Sequence, residues 1–464
     1  MSSEKIDIAI VNGRVVDSHF ITTADVLISD GRVAEIASPA TQYDAGRVID
    51  ASGNYVLPGI IDAHLHPVYA DRIDTISRAA VCEGVTTLIP YIGAVKAWGQ
   101  SGGLIGAIDD FIAEGESTSL VDFSLHCTLM QDDMADIHAT IPKMIERGII
   151  SFKAFMAYAK RGMKLEDGEL LRLMSVVGRH NGLMAAHAEN GDIIDFMEEK
   201  LIGQGQEAPE FYPRSHPNLS EAEAVFRLLT LAQTAGCPIY VPHISTAETL
   251  EVLNLFARWQ AVEFYVETCP HYLALTEAVM AQRGTIAKMA PPLRRQPDID
   301  ALWRAVAEDR IHVIGSDAAG SDTAANQPLR DKVFSAPNGI PGVETLLKVV
   351  YQAGVNAGHI TLPQLVAQLA ENPAKIFGLY PRKGNLQPGA DADLIIFDPN
   401  TDYVIGDSHP ELNVDFNLYA GSKGRGVPIL TMQRGAVLFE DNQIKARPGQ
   451  GQYLPAARDT AACE

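Results

Sequence analysis

Six residues with side chains able to hold metal ions or move protons stand inside apolar runs. They are His64 and His66 in GIIDAHLH, Lys153 in SFKAFMAY, His187 in LMAAHAEN, His243 in IYVPHIST and Asp317 in HVIGSDAA. An ionisable group in such a run must be paired, liganded or functional, because burying it alone is costly. Imidazole and carboxylate without thiolate suit Zn²⁺, Mn²⁺, Co²⁺ or Fe²⁺. Four histidines and an aspartate exceed what one catalytic ion uses while keeping a position open, so two divalent metal ions are expected. Two adjacent cations need a bridging anion, and an ammonium at Lys153 would be repelled by both. Burial lowers a lysine's pKa, and the neutral amine can add CO2 to become an anionic carbamate. The alternative is a Lys153 paired with a nearby carboxylate.

These residues need a scaffold that gathers strand ends. From about Pro58 to Gly384 the five runs above join VTTLIPY, FSLHCTLM and VEFYVETCP in alternation with helical stretches. Eight buried-looking strands separated by helices predict a closed parallel (β/α)8 TIM-like barrel, an α/β fold that places chemistry at its C-terminal mouth. His64 to Asp317 spans 317 − 64 = 253 residues over seven repeats, about 36 each, a comfortable βα unit. A doubly wound open sheet is the alternative, but no GxGxxG follows the early strands. Two-residue alternation aims Asp62, His64 and His66 at the interior, with Asp62 as an acceptor for a ligand imidazole or a strand-end structural residue.

Both chain ends read as β structure. Asn12-Gly13 and Asp30-Gly31 between alternating apolar runs predict hairpin turns. The expected division is a β domain from 1–57 and 385–464, the latter including a C-terminal tail, around a barrel of 58–384. The tail after Arg447 reads as a loose arm or an oligomer contact. His126 and His271 read as satisfied core residues, and His19, His138, His180, His216, His312, His359 and His409 as loop or surface residues. The loop Gly320 to Pro341, rich in small and polar residues, reads as a lid or a static surface loop.

Net charge is −21 (37 basic against 58 acidic residues), which argues against nucleic acid and anionic membranes as partners. No stretch reaches the roughly 18 apolar residues of a membrane span. Five cysteines (Cys82, Cys127, Cys237, Cys269, Cys463) without CxxC spacing argue against a disulfide framework and fit a reducing cytoplasm.

The strings GIIDAHLH, SFKAFMAY, AAHAEN, VPHIST and GSDAA resemble the amidohydrolase superfamily. With ETCPHYL, APPLR, NGIPGVE, NPAKIFGLYPRKG, GNLQPGADADLIIFDP and GSKGRGVPILTMQRG, nearly the whole chain resembles its hydantoinase and dihydropyrimidinase branch. The resemblance implies a (β/α)8 barrel beside a small β-sandwich built from both chain ends. It also implies that His64, His66 and Asp317 bind the more buried ion and His187 and His243 the more exposed one, most often Zn²⁺, with Mn²⁺ or Co²⁺ as alternatives. N6-carboxylated Lys153 and a hydroxide would bridge them.

The same resemblance makes Asp317 the proton shuttle and Tyr158 the donor to the oxyanion. Tyr158, Ala290 and Asn338 would bind substrate, Asn338 through its backbone. The implied reaction is hydrolysis of a cyclic amide: a hydantoin, a dihydropyrimidine or a related ureide or imide. Alternatives are an allantoinase-like ureide hydrolase, another amide hydrolase on the same centre, or a non-catalytic binding relative. A homotetramer or dimer is implied as well. Four features depart from the pattern: Ala290 stands where hydantoinases usually carry Ser, Ala318 replaces a His, Val68 stands where dihydroorotases carry Arg, and the segment between His66 and the helix containing Ser77 is short.

Overall fold

The computed structural model describes residues 6–40, 42–96 and 102–458. Strands β1 (Ile6–Val16), β2 (Ile21–Ser29), β3 (Arg32–Ala37), β4 (Ala45–Asp50) and β5 (Tyr55–Pro58) precede the barrel. The barrel region holds β6 (Ile60–Leu65), β7 (Val85–Ile92), β8 (Asp122–Phe123), β9 (His126–Thr128), β10 (Ser151–Phe155), β11 (Leu183–His187), β12 (Ile239–Val241), β13 (Phe264–Thr268) and β14 (Val313–Ile314). Strands β15 (Leu394–Val404), β16 (Lys423–Gln433), β17 (Ala436–Glu440) and β18 (Gln443–Ile444) follow it.

The barrel strands run parallel in the order β6-β7-β9-β10-β11-β12-β13-β14, with β8 a short offshoot of β7. Closure comes just past β14. The Asp317 N–H donates to the His64 carbonyl at 2.8 Å, and the His66 N–H donates to the Ala318 carbonyl at 2.7 Å. The seam of the barrel therefore runs through three of the six singled-out residues. Ile61, Ala63, Ile89, Leu183, Ala185, Tyr240 and Val313 come from strands around the ring and fill the interior with Phe377 beneath them. The opposite strand faces join the helices in the larger apolar core.

The remaining strands form one mixed sheet in the order β18-β17-β16-β15-β5-β1-β2-β3, with β4 on β1. Ile10, Val26 and Ile28 from one end of the chain and Leu394, Leu430 and Met432 from the other share a single core. Asp30 and Gly31, at φ 49° and 74°, make the expected turn between β2 and β3. Asn12-Gly13 does not turn. It sits inside continuous β1 as a register shift between Ile10 and Gly13 against β2. The Asn12 N–H donates to Asp25 Oδ1 at 2.9 Å, and a Cβ on Gly13 would come within 2.6 Å of Val56. The glycine serves close packing against β5 rather than a hairpin.

The tail also differs from the expectation of a loose arm. Gln452 and Leu454 pair their backbone with Phe123 (3.0 and 2.7 Å), and the Ala456 N–H donates to Gly148 at 2.9 Å. Leu454 is buried in the interior cluster beneath the barrel. Apolar and paired, this segment gains more from closing the barrel floor than from remaining solvated.

Lys383, 1% exposed, ties sheet to barrel through Asp122 (2.7 Å), Asp391 (2.9 Å) and Asp393 (2.7 Å). Its three carboxylates raise the Lys383 pKa despite burial. Lys383→Met leaves Asp393 buried without its cation and Asp122 and Asp391 with only Arg434 and Arg382, and is expected to destabilise by about 3–5 kcal/mol in urea unfolding. A loss under about 1 kcal/mol would show that the cluster relaxes into water.

Candidate metal centre and cavity

All six residues gather at the C-terminal mouth of the barrel. His64 Nε2 lies 3.1 Å from Asp317 Oδ1 and 3.2 Å from Lys153 Nζ, and His66 Nε2 lies 3.4 Å from the same Asp317 oxygen. His187 Nδ1 faces His243 Nε2 at 3.2 Å. His64 and His243 join the two groups with ring centroids 5.4 Å apart. Lys153, 1% exposed, sits over the Tyr91 ring at 4.1 Å from its centroid.

Two glutamates absent from the expected site set the histidine tautomers. Glu267 on β13 takes His64 Nδ1 at 2.5 Å, so Nδ1 carries the proton and Nε2 turns its lone pair toward Lys153 and Asp317. Glu189, two residues past the end of β11, takes His187 Nε2 at 3.0 Å, which leaves Nδ1 free to ligate beside His243. Glu189 is itself held by His216 Nδ1 at 2.8 Å. His216 is thus a buried loop residue that positions Glu189, where a loop or surface residue was expected. The signal was available in part: Glu189 follows His187 in HAEN, but its link to His216 is a tertiary one.

Asp62 does not hold an imidazole. Pairing of β6 with β7 shifts between Asp62 and Leu65, which interrupts the expected alternation. The Asp62 carboxylate instead accepts the backbone N–H of Ser316 at 3.0 Å and of His64 at 3.3 Å. It braces the seam, while Glu267 does the orienting. His126 is the satisfied core residue expected, with Nε2 at 3.0 Å from the Ala63 carbonyl and Nδ1 on Ser151. His271 is not. It lines the cavity, and its buried Nε2 has no hydrogen-bond partner among the described residues.

Electrostatically the site favours added positive charge. Burial pulls His64 down, but Glu267 and Asp317 outweigh it and raise its pKa. Burial wins at His66, pushed down to about 4, and at His243, held well below its ordinary value, so both are neutral, ligand-ready imidazoles. At Asp317 burial pushes upward, yet His64, His66 and His243 hold the carboxyl well below the usual range. Burial lowers Lys153 to about 8, where a free amine fraction exists near neutral pH. The donors His64, His66 and Asp317 converge, and this nitrogen–oxygen set fits divalent cations. Cys269 also lies within reach of His271 and Asp317, but burial holds its thiol well above the ordinary pKa and so protonated.

Three site residues, Tyr158 (φ 67°), His243 (φ 41°) and Asp317 (φ 49°), adopt left-handed backbone although none is glycine. Each such residue costs about 1–3 kcal/mol, which the surrounding strand ends must offset. The turn aims each side chain back over the mouth. There a cavity of about 620 Å³, open to solvent, is lined by Tyr69, Tyr158, Arg161, Met289, Ala290 and Asn338 beside the cluster. Burial raises the Tyr158 pKa well above 10, so its hydroxyl stays a donor. Asn338 Oδ1 is buried without a hydrogen-bond partner among the described residues.

The short segment after His66 contributes Tyr69 to the cavity, a residue the sequence reading did not single out. The Asp71 carboxylate pins that segment by accepting the Asn413 N–H at 2.7 Å. The loop from Gly320 to Pro341 is anchored at both ends, with the Gly339 N–H on the Lys288 carbonyl and the Ala319 N–H on the Ile340 carbonyl, each at 2.9 Å.

A model of the Amidohydrolase family matches residues 55–438. The chain is 35% identical to a D-hydantoinase of Streptomyces coelicolor, covering 98% of this chain and 99% of that protein. It is 32% identical to an L-hydantoinase of Paenarthrobacter aurescens, covering 97% and 98%. Among solved structures, a D-hydantoinase from a Bacillus sp. AR9 superposes with a TM-score of 0.91 at 31% identity, over 98% of this chain and 100% of that one. The Arthrobacter aurescens L-hydantoinase (dihydropyrimidinase) gives a TM-score of 0.90 at 32% identity, over 97% and 100%. With a family model spanning most of its length and relatives aligned end to end, the chain belongs to the amidohydrolase family.

Proposed function

We propose that the protein opens a cyclic amide, such as a hydantoin or dihydropyrimidine ring, by metal-dependent hydrolysis. The observation that carries this reading is the buried convergence of His64, His66, Lys153, His187, His243 and Asp317 on one cavity. End-to-end likeness to hydantoinases supports the ring as substrate. His64, His66 and Asp317 would hold one divalent ion and His187 and His243 a second, with Zn²⁺ favoured by the ligand set and Mn²⁺ or Co²⁺ as alternatives. Bound there, such ions supply Lewis acidity, lowering the pKa of water and polarising the carbonyl to be attacked.

Lys153 would supply the bridging anion. Its neutral Nζ forms a bond to the carbon of CO2 and releases one proton, which leaves an anionic carbamate between the two ligand groups. This removes an ammonium placed 3.2 Å from His64 Nε2, where it would repel any cation. Asp317 accepts a proton from the attacking water and returns it to the ring nitrogen as the C–N bond breaks. The Tyr158 hydroxyl donates to the carbonyl oxygen as negative charge develops there. Main-chain atoms at Ala290 and Asn338 hold the ring, so Ala at position 290 is no obstacle. Intact ligand residues speak against a purely binding role.

Among the described residues no helix is long and apolar enough to cross a membrane. Four cysteines are free and Cys463 lies outside the described residues, which supports a reducing cytoplasm. Exposed Phe226 (41%) and Trp259 (56%), joined through Phe256, support a dimer or tetramer of this chain.

Lys153→Ala is expected to lose metal and activity together, with partial recovery on adding a short carboxylic acid and metal. Full activity without additives would refute the bridge. Asp317→Asn should lower kcat by at least about a hundredfold, and near-native turnover would exclude it as the proton carrier. Glu267→Gln should weaken metal affinity by about 10–100-fold in chelator competition; unchanged affinity would mean that the His64 tautomer is set elsewhere.

A further inference from the structure

The cavity over the six residues opens into an outer chamber of about 1220 Å³, itself open to solvent, and Tyr69, Tyr158, Arg161 and Asn338 line both. Of the cations lining these spaces, Lys153 belongs to the metal centre. Lys160 is engaged by Asp195 (3.3 Å) and Glu199 (3.1 Å). Lys288 is buried and donates to the Ala336 carbonyl at 2.8 Å. Arg161 has no carboxylate partner among the described residues and, unlike buried Lys288, is exposed and lines both spaces; its contact is with the Tyr158 ring, 5.6 Å from the centroid.

Two carboxylates, Asp195 and Glu198, line the outer chamber. Asp195 pairs with Lys160, and Glu198 lies in the field of His216, Lys288 and Lys160. Arg161 is also held in place. The turn Ala159–Arg161 is bounded by left-handed Tyr158 (φ 67°) and Gly162 (φ 69°), and the Arg161 N–H donates to the Tyr158 carbonyl at 3.0 Å. The Arg161 backbone is therefore fixed beside Tyr158, and its exposed side chain lines both spaces. On a chain of net charge −21, an unneutralised arginine at the mouth of the reaction cavity is a local anion site in an otherwise repelling field.

Resting on the cyclic-amide reading above, we propose that Arg161 is a specificity-determining residue, and that the substrate is a ring whose exocyclic substituent ends in an anion, a carboxylate above all, received by the Arg161 guanidinium where inner cavity and outer chamber meet. A planar guanidinium offers two parallel donors to a carboxylate, which a carbamoyl group of the same shape cannot match in charge. The chamber gives that substituent room without contact with the metal ligands.

The test uses metal-loaded full-length enzyme with 5-(2-carboxyethyl)hydantoin and its neutral isostere 5-(2-carbamoylethyl)hydantoin. The carboxylate ring should be preferred in kcat/KM by about tenfold or more, carried by KM, and Arg161→Gln should shrink that ratio by about tenfold. Arg161→Lys should retain part of the preference, and Arg161→Glu should invert it in favour of the neutral ring. The same ratio in wild type and Arg161→Glu would overturn the assignment while leaving ring hydrolysis intact. Failure of the loaded enzyme to open either ring would instead overturn the underlying reading, and the assignment with it.

Discussion

A lysine amine and an imidazole nitrogen lie 3.2 Å apart, with Asp317 3.1 Å from the same imidazole; the lysine and the imidazole are buried, and the aspartate faces the cavity. Positive charge at this point is demanded by Asp317 and Glu267, yet an ammonium is the least tolerable form of Lys153 beside any further cation. Burial weakens that ammonium, and the surrounding nitrogens are arranged as lone pairs rather than donors. On the proposed reading, cations held between imidazoles and an anion formed on Lys153 would resolve the arrangement. The two orienting glutamates, the seam and the roof of the cavity all follow from keeping this cluster in register.

The fold supplies that register at the point of barrel closure. Hydrogen bonds from Asp317 to the His64 carbonyl and from His66 to the Ala318 carbonyl join the last strand to the first. The same peptide units thus close the ring and place His64, His66 and Asp317. Left-handed backbone at Tyr158, His243 and Asp317 turns three strand ends over the mouth, and such strain persists only where the neighbouring structure overdetermines it. Beneath, Phe377 and Leu454 stop the barrel floor with apolar side chains, which leaves the polar cluster exposed from one end only.

Much of this was legible in the sequence. Eight apolar runs at regular spacing gave the parallel strands, and the six polar residues singled out within them come together at the barrel mouth, because a buried charge has few other uses. Residues whose roles depend on distant partners were less legible. Glu267 lies 203 positions from His64 and nothing in its local pattern marks it. His216 reads as a loop residue until Glu189 folds against it. Asn12-Gly13 has turn chemistry, but β5 packs over it and converts the turn into a bulge. The tail looked unstructured because its pairing partners, Phe123 and Gly148, belong to the barrel floor.

The most direct measurement of the central claim is 13C NMR of metal-loaded enzyme prepared in 13C-bicarbonate, with metal content determined on the same sample. The account requires one carbamate carbon and two divalent ions per chain, with the carbon signal absent from Lys153→Arg. Active, fully metal-loaded enzyme without any carbamate carbon would contradict it.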